Sequence, residues 1–317
     1  MAGQRTEARL VADRYVRETA LGHGGYGIVW RAHDTLLQRD VAIKEIHFPE
    51  TLDEAERAAL RERVLREARA AARLTDPRVV TVFDVVEADG RPLIVMELVE
   101  SPTLDQVVKS DGPLEVGRAA AIGLEVLEAL IAAHAQGIIH RDVKPANVMV
   151  HDSGRVQLAD FGIASIIDDP KVTASGRLAG SPSYMAPEQA EGRPAGASTD
   201  LWGLGATLYY AVEGQPPFEK DGAIATLASV VSDEPRPMRG VGALAPVLGD
   251  LLAKDPAARP STGDVARRLL DLATPPADTS PTAELDASEV QTSISAAALG
   301  DDSPTPPPSS TIAPAPP

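Results

Sequence analysis

The chain of 317 residues contains no cysteine. Disulfides, thiolate metal sites and cysteine nucleophiles are therefore excluded. A surplus of positive charge is also missing: 30 Lys and Arg stand against 46 Asp and Glu, for a formal charge of −16. Sequence-independent nucleic-acid binding runs on exposed Lys and Arg, so this balance argues against it. The deficit is uneven. No Lys or Arg follows Ala273, where Asp278, Glu284, Asp286, Glu289, Asp301 and Asp302 lie. The folded part is thus less acidic than the total.

No apolar run approaches the roughly 20 residues that cross a bilayer. The longest uncharged apolar run, Leu201 to Val212, reads as a buried helix. The opening MAGQRTEARLVADRYV lacks the apolar centre of a signal peptide. The expectation is a soluble, cytoplasmic chain with no membrane segment of its own. The six histidines form no H-E-x-x-H pattern, no G-x-S-x-G elbow occurs, and no internal repeat is visible.

What is present divides by character. Residues 1–12 are polar and are expected to be loose. Residues 13–99 are strand-rich, with β-branched runs at Val16–Ala20, Ile28–Ala32, Val41–Ile46, Val79–Val86 and Leu93–Met96. One helix interrupts them: Leu52–Leu74 places Leu60, Val64, Leu65 and Ala68 at helical spacing. Residues 100–272 are mainly helical, with helices expected over Glu115–Gln136, Thr199–Glu213, Ile224–Val231, Leu244–Lys254 and Thr262–Leu272. A short hairpin is expected around Asp152-Ser153-Gly154. A strand-rich unit followed by a helix-rich unit predicts an α+β protein of two lobes. Residues 273–317 are rich in Pro, Ser, Thr and Ala, bury too little to offset chain entropy, and are expected to be disordered.

His140-Arg141-Asp142-Val143-Lys144-Pro145-Ala146-Asn147, followed by Asp160-Phe161-Gly162, carries the chemistry. Phosphoryl transfer needs a base to orient the attacking hydroxyl, a cation for the transferred group and oxygen ligands for a divalent metal. This stretch supplies all of them. It reads H-R-D-x-K-P-x-N then D-F-G, and the chain resembles the protein kinases, specifically the bacterial (Hanks-type) serine/threonine kinases of eukaryotic type. The resemblance covers residues 13–272. It implies a bilobal fold with an antiparallel N-lobe sheet plus one helix (13–99) and a mainly helical C-lobe (100–272).

Gly22-His23-Gly24-Gly25-Tyr26-Gly27-Ile28-Val29 fits that reading better than its rivals. A P-loop needs Lys-Ser/Thr after its last glycine, and a dinucleotide fingerprint needs a helix there. Ile28-Val29-Trp30-Arg31-Ala32 is strand-like instead, which leaves strand–turn–strand over phosphates or a plain Gly-rich hairpin. The resemblance implies that Gly22, Gly24 and Gly27 approach ATP, with Leu21, Val29, Ala42, Met96 and Met149 enclosing the base. Met96 would be the gatekeeper, and the Glu97 carbonyl and Val99 amide would meet the adenine. Lys44, closing Val41-Ala42-Ile43-Lys44, would reach the α and β phosphates, held by Glu67 on the following helix with Glu62 as the fallback. Asp142 would orient the substrate hydroxyl and Lys144 would sit on the γ-phosphate. Asn147 and Asp160 would hold Mg²⁺ or Mn²⁺. Lys two residues after Asp142 is the serine/threonine pattern, so the implied partners are proteins with Ser or Thr acceptors.

Between Asp160 and Ala186-Pro187-Glu188, the resemblance marks Thr173 first and Ser175 second as autophosphorylation candidates, with Arg141 as phosphate anchor. Ser181 would face Asp142, Glu188 would pair with Arg259, and Asp200 would brace the catalytic loop. His140 is expected to pack beneath the metal-binding loop. Homodimerisation through the strand-rich lobe is an option the family leaves open. Two other readings remain: a pseudokinase scaffold, disfavoured because Lys44, Asp142 and Asp160 are all present, and a small-molecule phosphotransferase, disfavoured by the Ala186-Pro187-Glu188 segment and the long loop before it.

Overall fold

A computed structural model of the chain describes residues 9–24, 27–49, 51–161 and 181–273. The strands are β1 (Arg9–Val11), β2 (Tyr15–Gly24), β3 (Gly27–Asp34), β4 (Arg39–Ile46), β5 (Val82–Ala88), β6 (Arg91–Glu97), β7 (Val148–Val150) and β8 (Val156–Leu158). The helices are α1 (Glu54–Ala71), α2 (Leu104–Asp111), α3 (Val116–His134), α4 (Pro187–Ala190), α5 (Ala197–Glu213), α6 (Ala223–Ser232), α7 (Ala245–Leu251) and α8 (Thr262–Ala273).

β1 to β6 form one antiparallel sheet in the order β1-β2-β3-β4-β6-β5. Strand alternation gives it two buried faces. Ala42, Ile46, Ile94 and Met96 pack with Leu60, Val64 and Ala68 of α1. Val41, Ile43, Leu93 and Val95 pack on the other side with Val11 and Tyr15. Arg9–Val11 corrects the expectation of a loose stretch there: these residues pair with Arg17, Val16 and Tyr15, and Val11 closes the outer cluster. The helix α1 starts in a capping box, Asp53 accepting from the Glu56 amide at 2.8 Å while Glu56 accepts from the Asp53 amide at 3.0 Å.

The second lobe is helical, and α2 is an element that apolar spacing alone did not reveal. Its start is signalled by a second capping box, Thr103 with Gln106. The centre is α5, buried continuously from Thr199 to Val212. Such a helix is packed on all sides. Two glycines let neighbours approach its backbone. A Cβ on Gly205 would stand 2.7 Å from Leu251 Cβ, and one on Gly203 would stand 2.8 Å from Val143 Cβ. The second contact seats the catalytic segment on α5. Among the described residues, no helix is long and apolar enough to cross a membrane.

Candidate active site

The H-R-D segment is held from beneath by one buried carboxylate. Asp200, in the first turn of α5, accepts from the amides of His140 at 2.9 Å and Arg141 at 2.7 Å. His134 Nε2 reaches the same carboxylate at 2.7 Å. The His140 ring is buried, packs on Phe161 with centroids 4.5 Å apart, and sits 2.8 Å from the Ala159 carbonyl through Nε2. The Asp142 amide donates to its Nδ1 at 3.2 Å. A carbonyl only accepts, so the ring carries its proton on Nε2 and leaves Nδ1 as acceptor.

Asp142, Lys144 and Asn147 form one cluster. Lys144 Nζ donates to Asp142 Oδ2 at 2.7 Å. Asn147 Nδ2 donates to the Asp142 carbonyl at 2.8 Å and to Oδ2 at 3.2 Å. The Ala159 amide donates to the Asn147 carbonyl at 2.9 Å, which ties this loop to the strand leading into Asp160. Asn147 Oδ1 and Asp160 Oδ1 accept no hydrogen bond from any described residue. Two neutral or anionic oxygens on adjacent, backbone-linked segments suit a hard divalent cation such as Mg²⁺. Among the described residues no group of three His, Cys, Asp or Glu gathers elsewhere as a metal site.

Two residues here hold left-handed backbone without being glycine: Arg141 at φ 68° and Asp160 at φ 65°. Such conformations persist only where surrounding bonds hold them, and they concentrate at functional sites. At Arg141 the holding groups are Asp200 below and Gln189, whose Nε2 donates to the Arg141 carbonyl at 2.9 Å. Gln189 and His134 were missed at the sequence level, since neither belongs to a local pattern.

Lys44 is 6% exposed, and its Nζ lies 2.7 Å from Asp160 Oδ2. Burial works to raise the Asp160 carboxyl. The charge and hydrogen bond of Lys44, helped by Lys144 and His140, outweigh it and hold the carboxyl below its ordinary range. The expected partner, Glu67, is elsewhere: its carboxylate lies 3.9 Å from the Arg141 guanidinium. The physical reason is access. Glu54, Glu56 and Glu62 are exposed on α1 and Glu67 alone of these is partly buried, but the turned backbone at Asp160 brings a closer acid to the buried ammonium.

The expected nucleotide residues divide. Val29, Ala42, Met96 and Val99 share one apolar cluster with Leu98 and Ala159. Met149 is partly buried on β7, where it pairs with Gln157, and Leu21 on β2 is 52% exposed. Gly22 pairs with Val29 and Gly24 with Gly27 across the β2–β3 ladder. Gly27 has φ 140°, and a Cβ there would fall 1.7 Å from the Glu45 carbonyl oxygen, so only glycine fits. Glu97 ends β6. Thr173 and Ser175 lie outside the described residues. Ser181 is exposed and precedes the 3-10 turn Pro182–Tyr184. Glu188 and Arg259 make a buried bidentate pair at 2.7 and 2.8 Å.

Comparison with known proteins agrees with this geometry. The protein kinase domain model matches residues 15–270. A probable serine/threonine-protein kinase of Corynebacterium efficiens is 42% identical over 234 residues, 72% of this chain and 35% of that protein. The serine/threonine-protein kinase PkaA of Streptomyces coelicolor is 38% identical over 276 residues, 82% of this chain and 50% of that protein. The serine/threonine-protein kinase PknB of Mycolicibacterium smegmatis is 39% identical over 238 residues, 73% and 37% respectively. The chain therefore spans half or less of the length of these relatives. With its two-lobed fold and the 15–270 match, the chain belongs to the protein kinase domain family, alongside the bacterial Hanks-type serine/threonine kinases.

Proposed function

We propose that this chain transfers the γ-phosphate of ATP to Ser and Thr hydroxyls of proteins, including hydroxyls of its own loop before Ala186. The observation that carries this reading is the Asp142–Lys144–Asn147 cluster, backbone-linked to Asp160, with buried Lys44 alongside. Asp142 orients the acceptor hydroxyl and takes its proton. Lys144 sits between that acid and the transferred phosphoryl, where a cation stabilises charge on the equatorial oxygens. Lys44 holds the α and β phosphates, and the backbone amides of Gly22, Gly24 and Gly27 approach them. Asn147 and Asp160 are the residues that would hold Mg²⁺ or Mn²⁺, which would supply positive charge against the phosphates.

In this reading the Lys44–Asp160 bond is a resting arrangement. When nucleotide arrives, Lys44 turns to phosphate, and Glu67, the partly buried acid among Glu54, Glu56, Glu62 and Glu67 of α1, holds it. Arg141 then loses its weak contact with Glu67 and is available to a phosphate on Thr173 or Ser175. The setting is bacterial signalling in the cytoplasm, with protein substrates as partners and homodimerisation through the sheet lobe as a further element.

The test is intact-mass spectrometry after incubation with ATP and Mg²⁺ or Mn²⁺, followed by peptide mapping. The wild type gains phosphate, with Thr173 ahead of Ser175, and Asp142→Asn and Lys44→Met do not. A wild type that gains none under either metal would leave the scaffold reading in place.

A further inference from the structure

Behind the segment joining the lobes runs a polar chain that the catalytic reading does not use. Met149 lies on β7 and His151 directly follows the strand two residues on, and Gln157 of β8 stands opposite Met149 in the ladder. All three side chains therefore share one face of the hairpin. Gln157, 8% exposed, donates through Nε2 to Glu97 Oε2 at 3.1 Å. Its Oε1 lies 2.8 Å from His151 Nε2, and His151 Nδ1 lies 3.0 Å from Ser101 Oγ.

The chain has one consistent direction. A carboxylate only accepts, so the Gln157 amide must turn its NH₂ to Glu97. Its carbonyl then receives the His151 Nε2–H, and His151 Nδ1 in the neutral ring receives the Ser101 hydroxyl proton. Glu97 begins the connecting segment and Ser101 lies four residues on, so both ends are tied to the same hairpin. The Val150 amide adds a bond to the Pro102 carbonyl at 2.8 Å, and the Thr81 amide reaches Glu97 Oε2 at 3.4 Å. Glu97 belongs to the sheet lobe and Gln157 to the helical lobe, 60 residues apart.

We propose that Gln157 and His151 are positioning residues that fix the spacing between Met149 on the hairpin and the backbone groups of Glu97 and Val99, and so set the affinity for an adenine nucleotide rather than the rate of phosphoryl transfer. The inference rests on the nucleotide reading above and goes beyond it, since neither side chain belongs to a kinase signature. Its physical basis is preorganisation. A connecting segment already held in its bound geometry spends less ordering free energy when ligand enters. Removing the Gln157 amide strands a half-buried carboxylate and a ring N–H, which relax by moving the segment.

The experiment measures Mg·ADP binding to the full chain by calorimetry, with KM for ATP and kcat alongside. Gln157→Leu keeps the volume and removes both bonds. It is expected to weaken Mg·ADP binding and raise KM for ATP by about 3- to 10-fold, with kcat changed less than about twofold. Gln157→Glu sets two carboxylates face to face and weakens binding further. Combining it with Glu97→Gln restores a donor and an acceptor in reversed order, and binding is expected to return to within about twofold of wild type. Thermal melts identify any variant that fails to fold, and the reversed pair keeps the question open in that event. Wild-type binding with Gln157→Leu binding equally well would overturn the inference alone, as would a fall in kcat at constant KM or a reversed pair that stays as weak as Gln157→Glu. No Mg·ADP binding by the wild type would overturn the nucleotide reading and this inference together.

Discussion

Gly203 of α5 lies directly against Val143 of the catalytic segment, so that a Cβ on Gly203 would stand 2.8 Å from Val143 Cβ and 2.9 Å from its carbonyl oxygen. Glycine inside a helix costs about 1 kcal/mol relative to alanine. At position 203 it persists because the loop bearing Asp142 needs the space. Gly203→Ala is expected to lose more by crowding, about 1–3 kcal/mol, than the helix gains. The measurement is a pair: a lowered melting temperature and a fall in kcat of at least about tenfold, because the displaced backbone is the one that carries Asp142. Unchanged kcat would mean that the loop is not seated by this contact.

Gly27 has a sharper constraint, since a Cβ would fall within bonding range of the Glu45 carbonyl oxygen. Gly27→Ala must push the start of β3 away from β4 locally. KM for ATP is expected to rise about tenfold or more, with the melting temperature lowered by only a few degrees because Gly27 is the terminal residue of β3. Steady-state kinetics at varied ATP checks this.

The Glu188–Arg259 pair joins α4 to the loop before α8, with side chains 3% and 0% exposed. Removing one partner leaves a buried charge alone, so Arg259→Ala is expected to cost about 3–5 kcal/mol in chemical denaturation. The pH dependence follows from Glu188. Burial acts to raise its carboxyl, but bonds from Arg259 and Thr199 hold it below the ordinary value. A carboxyl depressed in the folded state stabilises fully above its ordinary range, and that contribution is lost as pH falls through the depressed value. Melting temperatures of wild type and Glu188→Gln should therefore converge on acidification below about pH 4.5, the ordinary value for Glu.

Lys254 shows the opposite sign. Its Nζ lies 3.9 Å from the centre of the Phe218 ring and 5.1 Å from that of Trp202, and donates to the Val230 carbonyl at 2.6 Å. Burial pushes its ammonium down to about 8; Glu234 and Asp233 oppose this and Arg259 adds to it. The unfolded chain binds this proton up to about 10.5, so the strain of a buried charge is fully present at neutral pH and is relieved as pH rises from 8 towards 10.5. Denaturation between pH 7 and 9.5 should show wild type gaining stability relative to Lys254→Met. Parallel curves would show that the ring faces and the carbonyl hold the charge at no net cost.

Much of the fold was legible because the signals are local. Leu60, Val64, Leu65 and Ala68 announce α1 by spacing and all four are buried. Val148–Val150 and Val156–Leu158 are strands at the expected residues because β-branched side chains flank an Asp-Ser-Gly turn. The cluster around Asp142 was legible for the same reason: its members lie within a few residues of one another. β1 was not legible, since a three-residue strand has no periodicity and exists only because β2 offers it an edge.

By sequence alone the chain is committed to a strand-rich lobe, a helical lobe and the H-R-D and D-F-G segments between them. Those are properties of contiguous residues, decided by side-chain period and local backbone preference. Partner choice belonged to the tertiary structure. Lys44 meets Asp160 rather than Glu67, Asp200 gathers His134 with the amides of His140 and Arg141, and Gln157 joins Glu97 across the lobes. These groups are distant along the chain, and which of several acids reaches a buried cation depends on how the lobes close and which backbone turns. No local pattern encodes that distance, because it is the sum of every packing contact between the two residues.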